Sequence, residues 1–235
     1  MSRYGDLRER AHRANLDLVR AGLVTLTFGN ASEADRAAGV MAIKPSGVPY
    51  GRLLPASIVV VDLDSGRVVE GEARPSSDTP THLVLYRAFA DVGGIVHTHS
   101  PFATAWAQAR RELPCLGTTH ADHFLGAVPV TRALSGEEIG GDYEERTGHV
   151  IVEALAERRL EPLDMPATLV ASHGPFTWGA DAAAAVDNAV ALEAVAAAAL
   201  RTLALAPDTP PVASALLERH FRRKHGPAAS YGQPA

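Results

Sequence analysis

The stretch Gly93-Gly94-Ile95-Val96-His97-Thr98-His99-Ser100-Pro101 decides how this chain is read. Its apolar, β-prone start follows a Gly-Gly pair. Alternate side chains of a strand share a face, so His97 and His99 are expected to point the same way, with Cα atoms roughly 7 Å apart. Two imidazoles so placed can converge on one divalent ion, and a third histidine, with or without a carboxylate, makes a catalytic type of site. A second apolar stretch, Leu169-Val170-Ala171-Ser172-His173-Gly174-Pro175, offers the histidine, and Ser76-Ser77-Asp78 offers the carboxylate. A His-x-His pair alone is as often one core and one surface residue, so the assignment depends on the rest of the chain.

Outward from that stretch, helices interleave with strands. Leu7, Ala11, Ala14 and Leu18 recur at helical spacing over residues 5 to 21, and Gly22 follows as a C-terminal cap. Leu23 to Thr27, Val40 to Lys44, Ser57 to Asp62 and Arg67 to Val69 are predicted strands, the last two joined by the turn Asp64-Ser65-Gly66. Thr79-Pro80 and Ser100-Pro101 each give an N-cap followed by proline at the first helical position, so a helix opens directly after each proposed ligand. Further strands are predicted near Ala127 to Thr131 and Ala167 to Ser172, around an amphipathic helix with Val150, Ile151, Ala154 and Leu155 inward. Asp181 caps a long Ala- and Leu-rich helix to Leu205. A final helix, Val212 to His225, precedes a small-residue tail containing Tyr231.

The bulk numbers narrow the function classes. A chain of 235 residues with 46% hydrophobic residues can bury a real core, and it reads as one domain. The net charge of -5, with Arg222-Arg223-Lys224 the sole basic run, argues against a nucleic-acid groove; a solvated helix end accounts for that run. Met1 to Arg10 is neither a secretory nor a transit signal, and no apolar run suggests a membrane span, so a cytoplasmic setting is expected. With Cys115 as the single cysteine, ligands must come from His and carboxylate, and Cys115 reads as a small buried hydrophobe.

Three short segments offer donors to an anion: Gly29-Asn30-Ala31-Ser32, Lys44-Pro45-Ser46-Gly47 and Pro75-Ser76-Ser77. Backbone N–H groups and small hydroxyls approach an oxyanion closely there, and Lys44 adds charge. Any one of them is equally an ordinary turn. Asp122 sits in a polar island, Gly117-Thr118-Thr119-His120-Ala121-Asp122-His123-Phe124, and Tyr231 reads on composition as a frayed terminal aromatic. His12, His82, His149 and His225 fall in predicted helices and are expected at the surface, whereas His120, His123 and His220 carry no assignment.

Taken together with Leu23 to Asn30, Ile43 to Val48, Pro75 to His82, Gly94 to Ser100, Gly117 to Asp122, Ser172 to Phe176 and Arg223 to Gly226, these motifs resemble the L-ribulose-5-phosphate 4-epimerase family of the class II aldolase/adducin superfamily. They occur in that family's order over essentially the whole chain. The resemblance implies a three-layer α/β/α sandwich with a mainly antiparallel central sheet, assembled as a homotetramer with active sites between subunits. It implies one divalent metal per subunit on Asp78, His97, His99 and His173. Zn²⁺ suits such donors, with Mn²⁺ or Co²⁺ as alternatives. It implies phosphate binding by Gly29, Asn30, Ser46, Gly47, Ser76 and Ser77 near Lys44, and an acid/base pair, Asp122 and Tyr231, supported by His220 and contributed by the adjacent subunit. The departures are His123, where family members can carry an aromatic, and Ser230, where a second one can occur.

The implied substrate is a phosphorylated ketopentose. Its C4 centre would invert by retro-aldol cleavage of C3–C4 and re-addition of the aldehyde through its other face. An L-xylulose-5-phosphate-processing paralogue fits every motif equally. A class II aldolase acting on a deoxyketose 1-phosphate is the next alternative; the position of Asp78 looks like a Glu there, so the shorter Asp favours the epimerase. An adducin-like scaffold is the non-enzymatic alternative, and the retained histidines, Asp122 and Tyr231 speak against it.

Overall fold

Alternation along the strands decides which side chains meet which helices. The structure, a computed structural model, describes residues 3–225 and Ala229. Strands β1 (Asn30–Asp35), β2 (Val40–Ile43), β3 (Val59–Asp62), β4 (Val68–Glu70), β5 (Gly94–His97), β6 (Ala167–Leu169) and β7 (Pro175–Gly179) form a seven-stranded sheet in the order β4-β3-β2-β1-β5-β7-β6. Every neighbouring pair is antiparallel. Met41, Ile43, Val59, Val61 and Ile95 face one side and pack on Leu85 and Tyr86 of helix α2 (Thr79–Ala88) and Ile151 and Leu155 of helix α6 (Tyr143–Glu157). Their neighbours Val40, Ala42 and Val60 face the other side, against Leu7 and Ala11 of helix α1 (Gly5–Arg20). There Val96 and Ala31 also meet Ala185 and Val186 of helix α7 (Ala182–Leu205). Helix α3 (Pro101–Ala109) joins α7 through Trp106 and Leu192. The result is the expected α/β/α sandwich.

The long helix α7 begins where the sequence places it, with the Asp181 carboxylate accepting the Ala184 N–H at 2.8 Å. By length and composition alone α7 could cross a membrane, which the reading of apolar runs did not anticipate; half of its apolar window is buried inside the fold. Its Glu193 carboxylate accepts the N–H groups of Phe102 and Ala103 at 2.8 and 2.9 Å. That carboxylate caps α3 in place of Ser100, whose side chain makes no capping bond. At α2, Asp78 rather than Thr79 occupies the N-cap position without a side-chain bond, and Thr79 Oγ1 donates to the Ser76 carbonyl at 2.7 Å.

The sheet departs from the expected strands in three places. Leu23 to Thr27 is a loop and turn, with Leu26 at φ 54°, and the strand starts instead at Asn30. Asn-Ala-Ser-Glu-Ala-Asp has no β-branched residue; pairing on both edges makes it a strand, and Asn15 of α1 bonds both the N–H and the carbonyl of Ala31 at 2.9 Å. Ala127 to Thr131 forms only isolated pairings, Leu113 with Val128 and Val130 with Leu169, around Pro129, which has no N–H to give. The strand expected to Ser172 stops at Leu169, and β7 was not anticipated.

Candidate active site

One row of residues crosses the sheet and carries the site. Asn30 on β1, His97 on β5 and Phe176 on β7 are direct cross-strand partners, so their side chains share a face. His97 is buried, stacks on the Phe176 ring at 4.2 Å between centroids, and donates from Nδ1 to the Pro175 carbonyl at 3.0 Å. That bond leaves the Nε2 lone pair facing inward. His99 lies beyond the end of β5, not on the strand as expected, yet its Nε2 stands 3.1 Å from His97 Nε2. His173 comes from the turn between β6 and β7, where Ser172 takes φ 62°. Gly174 lets that turn approach, since a Cβ there would lie 2.8 Å from the Thr98 carbonyl oxygen. The ligand nitrogens of His97, His99 and His173 lie within 4.8 Å of one another.

The electrostatics suit neutral imidazoles beside a carboxylate. Burial, with His97 and His99 beside it, pushes the His173 pKa down to about 4 against the pull of Asp78. Burial likewise lowers His99, with His97 adding to it. At Asp78 burial disfavours charge, but His97 and the Asn30 bond outweigh it and hold the carboxyl below its usual range. Its Oδ2 accepts from Asn30 Nδ2 at 2.6 Å.

The histidines form the floor of a polar cleft of about 410 Å³. Its walls include Gly29, Asn30, Lys44, Ser46, Gly47, Ser76, Ser77 and Asp78, so the anion-binding segments and the metal-type cluster share one space. Two of these loops are zipped together: Ser46 N–H donates to the Arg74 carbonyl at 2.9 Å and Ser76 N–H to the Lys44 carbonyl at 3.0 Å. Gly29, at φ 85°, lies against β5, where a Cβ would come within 2.9 Å of the His97 carbonyl oxygen. Lys44 is buried, its Nζ 3.3 Å from the Thr27 carbonyl and 4.8 Å from the centre of the Tyr50 ring. Burial lowers its pKa while Asp78 opposes the shift.

Asp122 and His220 meet each other but not this cleft. Asp122 ends helix α4 (Thr118–Ala121) and receives the Arg223 guanidinium in a two-pronged pair, Nε at 3.1 Å and Nη2 at 2.8 Å, together with His220 Nδ1 at 3.0 Å. Both partners lie on helix α8 (Ser214–His225). Burial works against the Asp122 charge, but the bonds from Arg223 and His220 prevail and lower its pKa. Neither Asp122 nor His220 lines the cleft. Tyr231 and Ser230 lie outside the described residues. The basic run is therefore more than a solvated helix end: Arg223 holds Asp122, and Lys224 Nζ approaches His123 Nε2 at 3.4 Å. His82, expected at the surface, is fully buried, because α2 turns that side toward the sheet, where Ser32 Oγ meets its Nδ1 at 2.7 Å. His12 is half-buried against the Leu53 carbonyl.

The family model for the Class II Aldolase and Adducin N-terminal domain matches residues 9–200. The chain belongs to this family. Relatives named L-ribulose-5-phosphate 4-epimerase UlaF, from Salmonella paratyphi A and Salmonella typhi, are 54% identical over 227 residues, covering 97% of this chain and 98% of theirs. A solved structure named L-fuculose 1-phosphate aldolase superposes with a TM-score of 0.78 at 25% identity, covering 95% of this chain and 97% of that one. A sugar-phosphate aldolase structure from Thermotoga maritima gives a TM-score of 0.65 at 21% identity, over 85% and 95% of the two chains, and shares the fold.

The donor set of this class II aldolase-family chain fits a divalent cation. Three imidazoles turn inward, His97 is fixed by its Nδ1 bond, and a carboxylate borders the same cleft. Sequence reasoning missed Tyr143, Glu144, Thr27 and Phe28, which also line it. Tyr143 OH lies 3.3 Å from His173 Nδ1, and the Phe28 ring stacks on His99 at 6.0 Å. The signal for Tyr143 is an aromatic in the first turn of an amphipathic helix, off its buried stripe; the acidic Glu144-Glu145 beside it reads as an ordinary helix start.

Proposed function

We propose that the chain is a metal-dependent L-ribulose-5-phosphate 4-epimerase, interconverting L-ribulose 5-phosphate and D-xylulose 5-phosphate. The observation that carries this reading is the presence, in one polar cleft, of three inward-facing imidazoles, Asp78 and a wall of amide and hydroxyl donors. The 54% identity to relatives named as this epimerase, against 25% to the aldolase structure, supports epimerisation over net cleavage. His97, His99, His173 and Asp78 would hold the cation, and Zn²⁺ suits this nitrogen-rich set better than Mn²⁺ or Co²⁺. A cation bound there supplies Lewis acidity toward the negative charge that develops on the ketose oxygens.

The protein's own groups bind, orient and move protons. Asn30, Ser46, Gly47, Ser76 and Ser77 grip the phosphate with Lys44 adding positive charge, so the aldehyde half stays anchored while it turns. A base removes the C4 hydroxyl proton, the C3–C4 bond breaks, and its electron pair passes into the enediolate of dihydroxyacetone, leaving glycolaldehyde phosphate. The aldehyde turns about its phosphate, C3 attacks the other face, and the C4 oxygen regains a proton. One acid/base group is needed on each side of C4. We assign Asp122 and Tyr231 to those sides, with His220 and Arg223 keeping Asp122 ionised and oriented. Because Asp122 and His220 do not line the cleft of their own chain, the reading places them in the site of a neighbouring subunit within a homotetramer. One domain per chain accounts for the shared sheet, and phosphorylated pentuloses, being charged, fit a cytoplasmic setting.

The test is an assay of metal-loaded protein with L-ribulose 5-phosphate that follows D-xylulose 5-phosphate and free glycolaldehyde phosphate in the same tube. Epimer without free aldehyde is expected. Accumulating aldehyde would make the protein an aldolase, and turnover confined to L-xylulose 5-phosphate would assign it to the paralogous reaction.

A further inference from the structure

His82 takes no part in the site as described so far, yet it sits directly behind it. It is wholly buried in α2, and its backbone N–H donates to the Asp78 carbonyl at 3.0 Å, one helical turn back. Its ring stands edge-on to Phe176 at 6.1 Å, and Phe176 stacks on His97 at 4.2 Å. The ionisable groups facing it are Asp78 and His97.

A hydrogen-bond chain runs from its Nδ1 to Ser32 and Tyr86. Tyr86 OH lies 2.8 Å from Ser32 Oγ, where either hydroxyl can donate, and 3.4 Å from the Gly93 carbonyl. In the arrangement with the phenol donating to Ser32, the Ser32 proton goes to His82 Nδ1 at 2.7 Å and the imidazole carries its own hydrogen on Nε2. Full burial disfavours a charged ring. Nε2 is sealed from water and has no hydrogen-bond partner among the described residues. A buried donor left in that state is costly, and the carboxylate beside it is the natural acceptor.

We infer that His82 is a positioning residue for the metal site: its Nε2–H orients the Asp78 carboxylate toward His97, His99 and His173 through one buried water. This rests on the metal reading proposed above. The competing role is that His82 merely ties α2 to β1 through Ser32.

Two substitutions separate the roles. Asn at this position reproduces the Nδ1 atom but nothing at Nε2, whereas Gln reproduces Nε2 and not Nδ1. Zn²⁺ affinity of metal-stripped protein, measured by chelator competition, is expected to fall about 10- to 100-fold in His82→Asn and to stay near wild type in His82→Gln. Equal affinity in His82→Asn and wild type, or a larger loss in His82→Gln than in His82→Asn, would overturn the inference and leave the metal reading intact. Wild-type protein that binds no divalent metal would overturn both. Should His82→Asn fail to fold, ¹⁵N NMR of wild-type His82 decides: the Nε2–H tautomer is expected, and the Nδ1–H tautomer contradicts the role.

Discussion

The two polar clusters of this molecule are built in opposite ways. The histidine cluster is anchored on the sheet: His97 sits on a strand paired on both sides, buried to 2% exposure, and His99 and His173 stand in the turns beside it. The Asp122 cluster is set between two helices, the four-residue α4 and the last described helix α8, and depends on side-chain bonds from Arg223 and His220. A metal site on the first would need geometry fixed before any substrate arrives, and the strand row holds His97 while the turns after β5 and before β7 bring His99 and His173 to it. The proton-transfer role proposed for the second would need a charged group held ready, and a helix-to-helix ion pair holds Asp122 charged. On the function proposed above, a chain would complete the metal-type half of a site alone and offer the proton-transfer half to another copy.

The sharpest break of this comparison is at the sheet. His97→Asn is expected to lower the metal content of the purified protein and to cut kcat/KM on the order of 10³-fold or more, since several kcal/mol of charge stabilisation is lost. Elemental analysis beside the epimerase assay checks both halves. At the edge, Asp122→Asn is expected to cost about 10²- to 10⁴-fold in kcat with metal content unchanged, and Tyr231→Phe a similar amount. Near-wild-type rates in both variants would refute the acid/base assignment.

Ser46 has an exposed side chain on the cleft wall, so Ser46→Ala should act on binding alone. Loss of one hydrogen bond to a phosphate predicts a rise in KM of about 10- to 100-fold with kcat little changed, from about 1.5 to 3 kcal/mol. A fall in kcat instead would move Ser46 into the chemistry. The mildest test is pH. Asp122 has a folded-state pKa below the unfolded value of about 3.9, so its pairing contributes in full above that value and is lost as pH falls through the folded one. Hydrogen-exchange protection of α8 should therefore be constant from neutral pH to about pH 4 and drop only below it. Loosening already near pH 6 would contradict this.

Legibility differed between the two clusters for physical reasons. The three histidines and the anion-binding segments could be singled out because turn residues and short spacings are local signals, although strand alternation misplaced His99 and the family resemblance was needed to join them into one site. Asp181 and the Ala-rich α7 were readable because capping and helix propensity are local too. β1 was not: Asn30–Asp35 has no strand propensity of its own and is made by its neighbours on both edges. His82 reads as a surface residue in a helix until α2 is laid on the sheet and Ser32 appears beneath it. Arg223 reads as a solvated end until α8 folds back 101 residues to Asp122. Tertiary contacts, invisible in windows of sequence, decide these positions.

The most direct measurement of the account is subunit complementation. His97→Asn and Asp122→Asn proteins, each inactive alone, are dissociated, mixed and reassembled, and epimerase activity is assayed. If each site joins the metal half of one chain to the proton-transfer half of its neighbour, random mixing restores about one quarter of the sites. No recovery from a mixture shown to contain both chains in one oligomer would contradict the account and place both halves in a single subunit.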